Sequence, residues 1–349
     1  EDGIRDDLVT GVQTCALPIS VASPASAKFE VGVSGYMEQW FGYSDNKESV
    51  NANSDVFDMI SDVEFNIDFK QTLDNGLTIG GQIQVEGQQP AGETDEQFIF
   101  IDGSFGRLEI GTDNGAGYRM HYGVASHGIG IDEGDWTSWI PGTSSESRAT
   151  SIGAGIENDQ NKITWFSPRI NGLQIGVTYI PEMDVNASTA STAGKEADTT
   201  RDNAYSVAAN YNASFDAVSL KASVAYQNAG SGVPEDHDGM NVGLQLGFGG
   251  FTASLAYGEE NDKSANQDEV SILGVGLGYK AGAAGVSIAY IRGEDSDDNF
   301  KQNAIELGAS YAMGPGVTAK GSVYYADAKT GGTQGANGIA AVGGLALSF

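Results

Sequence analysis

The sequence predicts an all-β chain, a transmembrane antiparallel β-barrel of about 16 strands with short turns at one end and long loops at the other. Three observations predict it. From residue 28 to 349, apolar and polar residues alternate in segments of strand length. The connections between those segments are short and long by turns. The last segment, Gly338 to Phe349, places Ile339, Ala341, Gly343, Leu345, Leu347 and Phe349 on one face and finishes on an aromatic residue. That ending is expected where a closing strand meets the aromatic girdle at the membrane interface.

Composition excludes the main rivals. The 349 residues carry 18 Lys plus Arg against 47 Asp plus Glu, a formal charge of −29. So acidic a chain is not built to bind nucleic acid through its phosphates. Charge alone would allow disorder, but disorder does not produce regular alternation. With 49 Gly, 8 Pro and 40% apolar residues, the chain suits a Gly-rich sheet. It has no apolar run of the roughly 18 residues that a transmembrane helix needs. Crossing a bilayer without helices leaves only a closed barrel, because hydrocarbon cannot satisfy an open sheet edge.

The N-terminus reads as separate material. Residues 1–19, EDGIRDDLVTGVQTCALPI, resemble the translation of a sequencing adapter and are expected to be an artefact. Residues 20–27, SVASPASA, end in the small-x-small pattern (Ala25, Ser26, Ala27) of a signal-peptidase site, the remnant of an export signal. The barrel then occupies 28–349, and the single cysteine, Cys15, lies outside it. The alternative is that 1–27 form a native polar tail.

The strands follow in order. Phe29, Val31, Val33, Gly35 and Met37 oppose Glu30, Ser34, Tyr36 and Glu38 on the first, 29–43. On the second, 56–72, Phe57, Met59, Val63, Phe65, Ile67 and Phe69 oppose Asp58, Asp62, Glu64, Asn66, Asp68 and Lys70. Asp74-Asn75-Gly76 makes a tight turn, a strong hairpin signal, into 77–88. Then come 96–103, 106–113, 161–169, 173–181, 203–214, 217–228, 240–249, 251–260, 269–280, 285–294, 303–313, 317–327 and 338–349. A soluble sandwich would not sort its connections by parity in this way. Size decides which face is wet: about 16 strands enclose a lumen too wide for side chains to fill, so the polar face lines water and the apolar face meets lipid.

One connection, about 114–160, is far longer than an ordinary loop. Tyr118, Met120, Tyr122, Trp136, Trp139 and Ile140 would anchor it inside the lumen. Its acidic stretch Asp132, Glu133 and Asp135 would then face basic wall residues, which by strand parity are Lys70, Arg107, Lys162, Lys221 and Lys320. Opposed charges across a narrow opening order water and filter solutes by charge and size. Two alternatives stand beside this: the loop only caps the barrel, or the basic residues pair with neighbouring carboxylates such as Asp68 and Glu109.

Catalysis has little support. The three histidines, His121, His127 and His237, all fall in expected loops, and no nucleophile, base and acid occur at diagnostic spacing. His121 and His127 make a weak metal pair. No cofactor is expected. Asp295, Asp297 and Asp298 offer oxygen ligands for loosely bound Ca²⁺, although solvated loop carboxylates are the commoner arrangement. The nonapeptide repeat of a calcium-binding β-roll is absent.

Three segments carry a family resemblance: the opening KFEVGVSGYMEQWFGYSDN, the hairpin FIFIDGSFGRLEIG from Phe98 to Gly111, and the closing GGLALSF. Through them the chain from Lys28 to Phe349 resembles the general diffusion porins of the Gram-negative outer membrane, closest to the trimeric sixteen-stranded alphaproteobacterial type. The resemblance implies passive transport of small hydrophilic solutes by a homotrimer in a bilayer carrying lipopolysaccharide, and a constriction made by the third outer loop. It matches Arg107 to a basic wall residue, and Asp132, Glu133 and Asp135 to the acidic loop segment. It makes Phe349 the mark read by the barrel-assembly machinery. The net charge and the lumen-facing Asp62, Glu64, Asp68 and Glu86 suggest a cation preference. A substrate-selective channel and a non-conducting, adhesin-like barrel remain as alternatives.

Overall fold

A computed structural model describes residues 29–47, 56–87, 94–132, 134–140, 157, 159–183, 202–229, 237–262, 267–296, 299–331 and 333–349. The expected artefact and signal remnant at 1–27, as well as Glu133, Asp297 and Asp298, lie outside these residues.

Sixteen antiparallel strands form one closed barrel in which each strand pairs with its sequence neighbours and β1 pairs with β16. They are β1 Glu30–Lys47, β2 Val56–Thr72, β3 Thr78–Glu86, β4 Thr94–Gly103, β5 Gly106–Thr112, β6 Asn161–Phe166, β7 Leu173–Glu182 and β8 Asp202–Phe215. The second half comprises β9 Val218–Asn228, β10 His237–Phe248, β11 Phe251–Asp262, β12 Gln267–Ala281, β13 Ala284–Asp295, β14 Phe300–Gly314, β15 Val317–Thr330 and β16 Thr333–Ser348. Closure leaves no sheet edge to expose unpaired backbone to lipid. At the seam, Gly35 and Phe349 exchange two backbone hydrogen bonds of 3.0 Å.

Every expected strand is present, and most differences lie at the long-loop end. There β10, β14 and β16 begin three to five residues earlier than alternation indicates, at His237, Phe300 and Thr333. β6 stops at Phe166, short of the expected 169, because Pro168 has no N–H to continue the ladder. The Asn75-Gly76 turn is formed, with Gly76 at φ 84 and its N–H donated to Leu73 O over 2.9 Å.

Side chains divide as the parity argument requires. The outer face exposes large apolar residues on every strand, among them Phe57, Met59, Leu307 and Leu345. On the opposite phase, Thr178, Ser206, Gln227 and Asn241 are buried although polar, because a segment of chain covers them from inside. The interior cluster of Trp40, Ile129, Ile131, Trp136, Trp139, Ile140, Ile272, Ile291 and Tyr324 joins that segment to the wall.

Candidate functional site: the loop inside the barrel

The covering segment is the long connection after β5. It enters as a one-turn helix, Ala116–Arg119, and later passes through a 3-10 turn, Asp135–Ser138. Its backbone needs partners, and lumen-facing hydroxyls on alternate strands supply them. Ala116 N–H donates to Thr178 Oγ1 of β7 (2.8 Å), Tyr122 N–H to Ser223 Oγ of β9 (2.9 Å), and Ala125 N–H to Ser254 Oγ of β11 (2.9 Å). His127 N–H donates to Ser287 Oγ of β13 (2.7 Å) and Ile129 N–H to Ser322 Oγ of β15 (2.8 Å). Wall groups also donate to loop carbonyls: Gln245 Nε2 to Gly123 O (3.0 Å) and Tyr324 OH to Gly130 O (2.7 Å). Each such bond contributes about 0.5–1.5 kcal/mol net. Together they lay the loop along the wall through half the circumference.

Close approach requires a wall without side chains at the contact points. A Cβ added to Gly276 would stand 2.6 Å from Ala125 O. Farther on, Trp139 lies over Gly42 of β1, while Met120, Tyr122, Trp136, Trp139 and Ile140 are all buried.

The charged side chains form a second layer. Arg107 pairs with Glu109 and, at 3.1 Å, with Asp102, and its guanidinium lies 3.8 Å from the centre of the Phe100 ring. Arg119 is held by Glu109 and, at 2.6 Å, by Asp113, and rests 4.8 Å over Phe166. Burial works against charge on Arg119, but Asp113 and Glu109 outweigh it and keep the guanidinium protonated. Burial pushes the Asp113 carboxyl above its ordinary range despite the attraction of Arg119. At His127, burial and then the charge of Lys280 hold the imidazole below its ordinary value.

The other residues singled out from the sequence are spread through the lumen. Lys221 reaches over Tyr122, 5.1 Å from the ring centre, and Lys320 stands 3.9 Å from Glu38 and 6.0 Å over Trp40. Lys162 is buried beneath the loop and donates to Asp113 O, so it fastens the loop base instead of facing open water. Lys70 lies at the short-turn end of β2, exposed, with Glu30 and Gly80 as register partners. Asp132 accepts Val124 N–H at 2.9 Å, and Asp135 lies near Glu306 and Tyr324. Of the two expected charge sets, Asp132, Arg107, Lys221 and Lys320 line one common cavity of about 810 Å³.

Carboxylate oxygens of Asp95, Glu96 and Asp159 lie within 4.8 Å of one another, a donor set suited to a hard cation. Sequence reasoning missed Arg119, Asp113 and the hydroxyl ladder. Arg119 carries no signal because its helix, Ala116–Arg119, is a single turn, too short for a periodicity that fixes the direction of a side chain. The ladder does carry one: Thr178, Ser223, Ser254, Ser287 and Ser322 all have lumen phase on odd-numbered strands.

Comparisons agree with this architecture. A family model described as Gram-negative porin matches residues 14–331. No curated protein sequence matches the chain. Among solved structures, the anion-selective porin from Comamonas acidovorans superposes with a TM-score of 0.64 at 14% identity, covering 92% of this chain and 100% of that one. A mutant of the Rh. blastica porin gives 0.59 at 20% identity, covering 91% and 100%. OmpT of Vibrio cholerae without its loop L8 gives 0.64 at 10%, covering 93% and 100%. With a closed barrel, a loop folded into its lumen and a family match over most of its length, the chain belongs to the Gram-negative porins, non-enzymatic diffusion channels of the outer membrane.

Proposed function

We propose that this porin passes small hydrophilic solutes and ions passively and prefers cations at low salt. It acts as a homotrimer in a bilayer bearing lipopolysaccharide, after signal-peptide-dependent export and insertion by the barrel-assembly machinery. The observation that carries the reading is the loop that follows the wall from β7 to β15 and leaves beside it a cavity of about 810 Å³. A plugged barrel would put side chains in that space. Stepwise ohmic conductance in planar bilayers is expected, and well-folded trimers that do not conduct would overturn the reading. Swelling assays with solutes of graded size separate general diffusion from a substrate-selective channel.

Support for a cation preference comes from the net charge of −29 and from Asp62 and Asp68, which point into the lumen and are only partly buried. Glu64 and Glu86 share that phase but are buried, which weakens their pull on passing ions. A second reading, anion preference, is favoured by the cavity lining, where Arg107, Arg119, Arg169, Lys221 and Lys320 stand against Asp113 and Asp132. The reversal potential across a salt gradient at low ionic strength discriminates by its sign. A cation-selective value that shrinks as screening shortens to roughly 3 Å at 1 M supports the first reading.

A further inference from the structure

The lumen charges are sorted along the barrel axis. At the short-turn end, within four residues of a strand end or turn, Lys70, Arg107, Arg169, Lys221, Lys280 and Lys320 face inward. The inward-facing strand carboxylates at that level are Glu30, Glu38, Asp68, Asp102 and Glu109, all on β1 to β5; Asp102 and Glu109 pair with Arg107, and Glu38 stands 3.9 Å from Lys320. From β7 to β15 the short-turn end carries Lys221, Lys280 and Lys320 and, among the described residues, no inward-facing strand carboxylate.

The long-loop end is the reverse. Asp58, Glu86 and Glu96 on β2 to β4 have lumen phase, followed by Glu182, Asp202, Glu260 and Asp295 further round. Against them the described residues at that level set Arg119, held by Asp113 and Glu109, Lys162, buried on Asp113 O, and His237, which pairs with Glu260. The two zones are well separated. Lys280 is ten residues along β12 from Val270, the register partner of Asp295. At about 3.3 Å per residue and a tilt near 40°, that is roughly 25 Å along the axis.

We infer that this lumen is bipolar and favours zwitterionic solutes, above all short peptides, with the ammonium end toward the long loops and the carboxylate leading toward the short turns. The inference rests on the diffusion reading above. In porins the short turns face the periplasm, so a peptide entering from outside travels carboxylate first. A monopole gains at one zone and loses at the other. A molecule with both charges gains at both when aligned. An extended chain covers about 3.3–3.6 Å per residue, so a peptide of three residues spans about 10 Å of the gap and one of six residues about 20 Å.

The test compares influx of triglycine into liposomes holding the porin with influx of N-acetyl-triglycine amide, which has nearly the same size and no charge. At a Debye length of about 30 Å, near 0.01 M salt, triglycine is expected to enter faster by about twofold or more. At 1 M salt the ratio should approach one. The triple variant K221Q/K280Q/K320Q should also bring the ratio toward one. A second readout requires no solute comparison: at low salt, current should be larger when the long-loop side is positive, because cations and anions are then driven together into the pore. A triglycine ratio at or below one, or a symmetric current–voltage curve at low salt, overturns the inference. If the capped peptide and small ions also fail to pass, the diffusion reading has failed first and the inference falls with it.

Discussion

Ile129 N–H donates to Ser322 Oγ over 2.8 Å although the two residues are 193 apart in sequence. The hydroxyl does not end the chain of bonds, since it donates in turn to Glu306 Oε1 at 2.6 Å. Ser126 Oγ and Gly130 N–H also donate to Glu306, at 2.6 and 3.2 Å. One buried wall carboxylate thus gathers three points of the loop, two directly and one through Ser322. Ser322→Ala should leave the buried Ile129 N–H and one Glu306 oxygen short of a partner, at a cost of about 1–3 kcal/mol. The expected outcome is a lower thermal unfolding midpoint together with noisier single-channel current as the loop leaves the wall. Unchanged noise at a lowered midpoint would show that the rung serves stability alone.

Clearance is tested at Gly276. Its added Cβ would meet Ala125 O at 2.6 Å and Ser254 Oγ at 2.7 Å, and Ala125 O is backbone that cannot rotate away. Gly276→Val should therefore push the loop inward and reduce unit conductance. Gly343→Ala is the control, since its nearest neighbour is Lys320 O at 3.6 Å and its side chain would meet lipid. Equal conductance in the two variants would argue that the loop does not limit flow.

Much of this was legible in the sequence, and the limits have physical causes. Strand phase was readable because one face must meet lipid, and a one-residue slip would turn Phe57 and Met59 into the water. The aromatic anchors of the loop were readable because Trp136 and Trp139 need burial wherever the chain lies. Pairing was not. Arg107 uses Glu109 and Asp102, within five residues of itself, so the alternative that wall cations neutralise neighbouring carboxylates describes it better than a partner across the pore. Lys162 has lumen phase as expected, but phase cannot show that the loop covers it.

The loop base should respond to pH through Glu157. Its carboxylate accepts N–H of Tyr118 at 2.7 Å and the amide of Gln227 at 2.9 Å, while its own carbonyl receives Gly115 N–H at 3.0 Å. Burial pushes its pKa from 4.5 up to about 7, against the Ser206 hydroxyl, the Lys162 charge and the N–H groups of Tyr118 and Gly117. A folded-state value raised above the unfolded one means that the native state holds the proton more tightly. Its contribution is fully present below 4.5 and is lost as pH rises through about 7. Unfolding midpoints should thus fall between pH 5 and pH 8 by more in the native chain than in Glu157→Gln, which stays neutral throughout. Identical pH profiles would mean that Glu157 keeps its ordinary ionisation.

The seam between Gly35 and Phe349 supports the last prediction. Their two 3.0 Å hydrogen bonds are the final rungs between β16 and β1, and the Phe349 ring projects on the lipid side, 55% exposed in the isolated chain. Gly35 is suited to this place because a Cβ there would approach Phe65 Cα at 2.9 Å and the Phe349 ring at 3.2 Å. Removing Phe349 forfeits those two bonds and at most about 1.5–3 kcal/mol of aromatic burial in the interface. Its ring lies on the lipid-facing phase of β16, on the side of the wall opposite the loop and the lumen charges. Deletion should lower the yield of folded barrel in the outer membrane while the surviving channels keep their unit conductance. Normal yield would refute an assembly role for this residue. Altered conductance would show that the seam sets the barrel's cross-section as well as closing it.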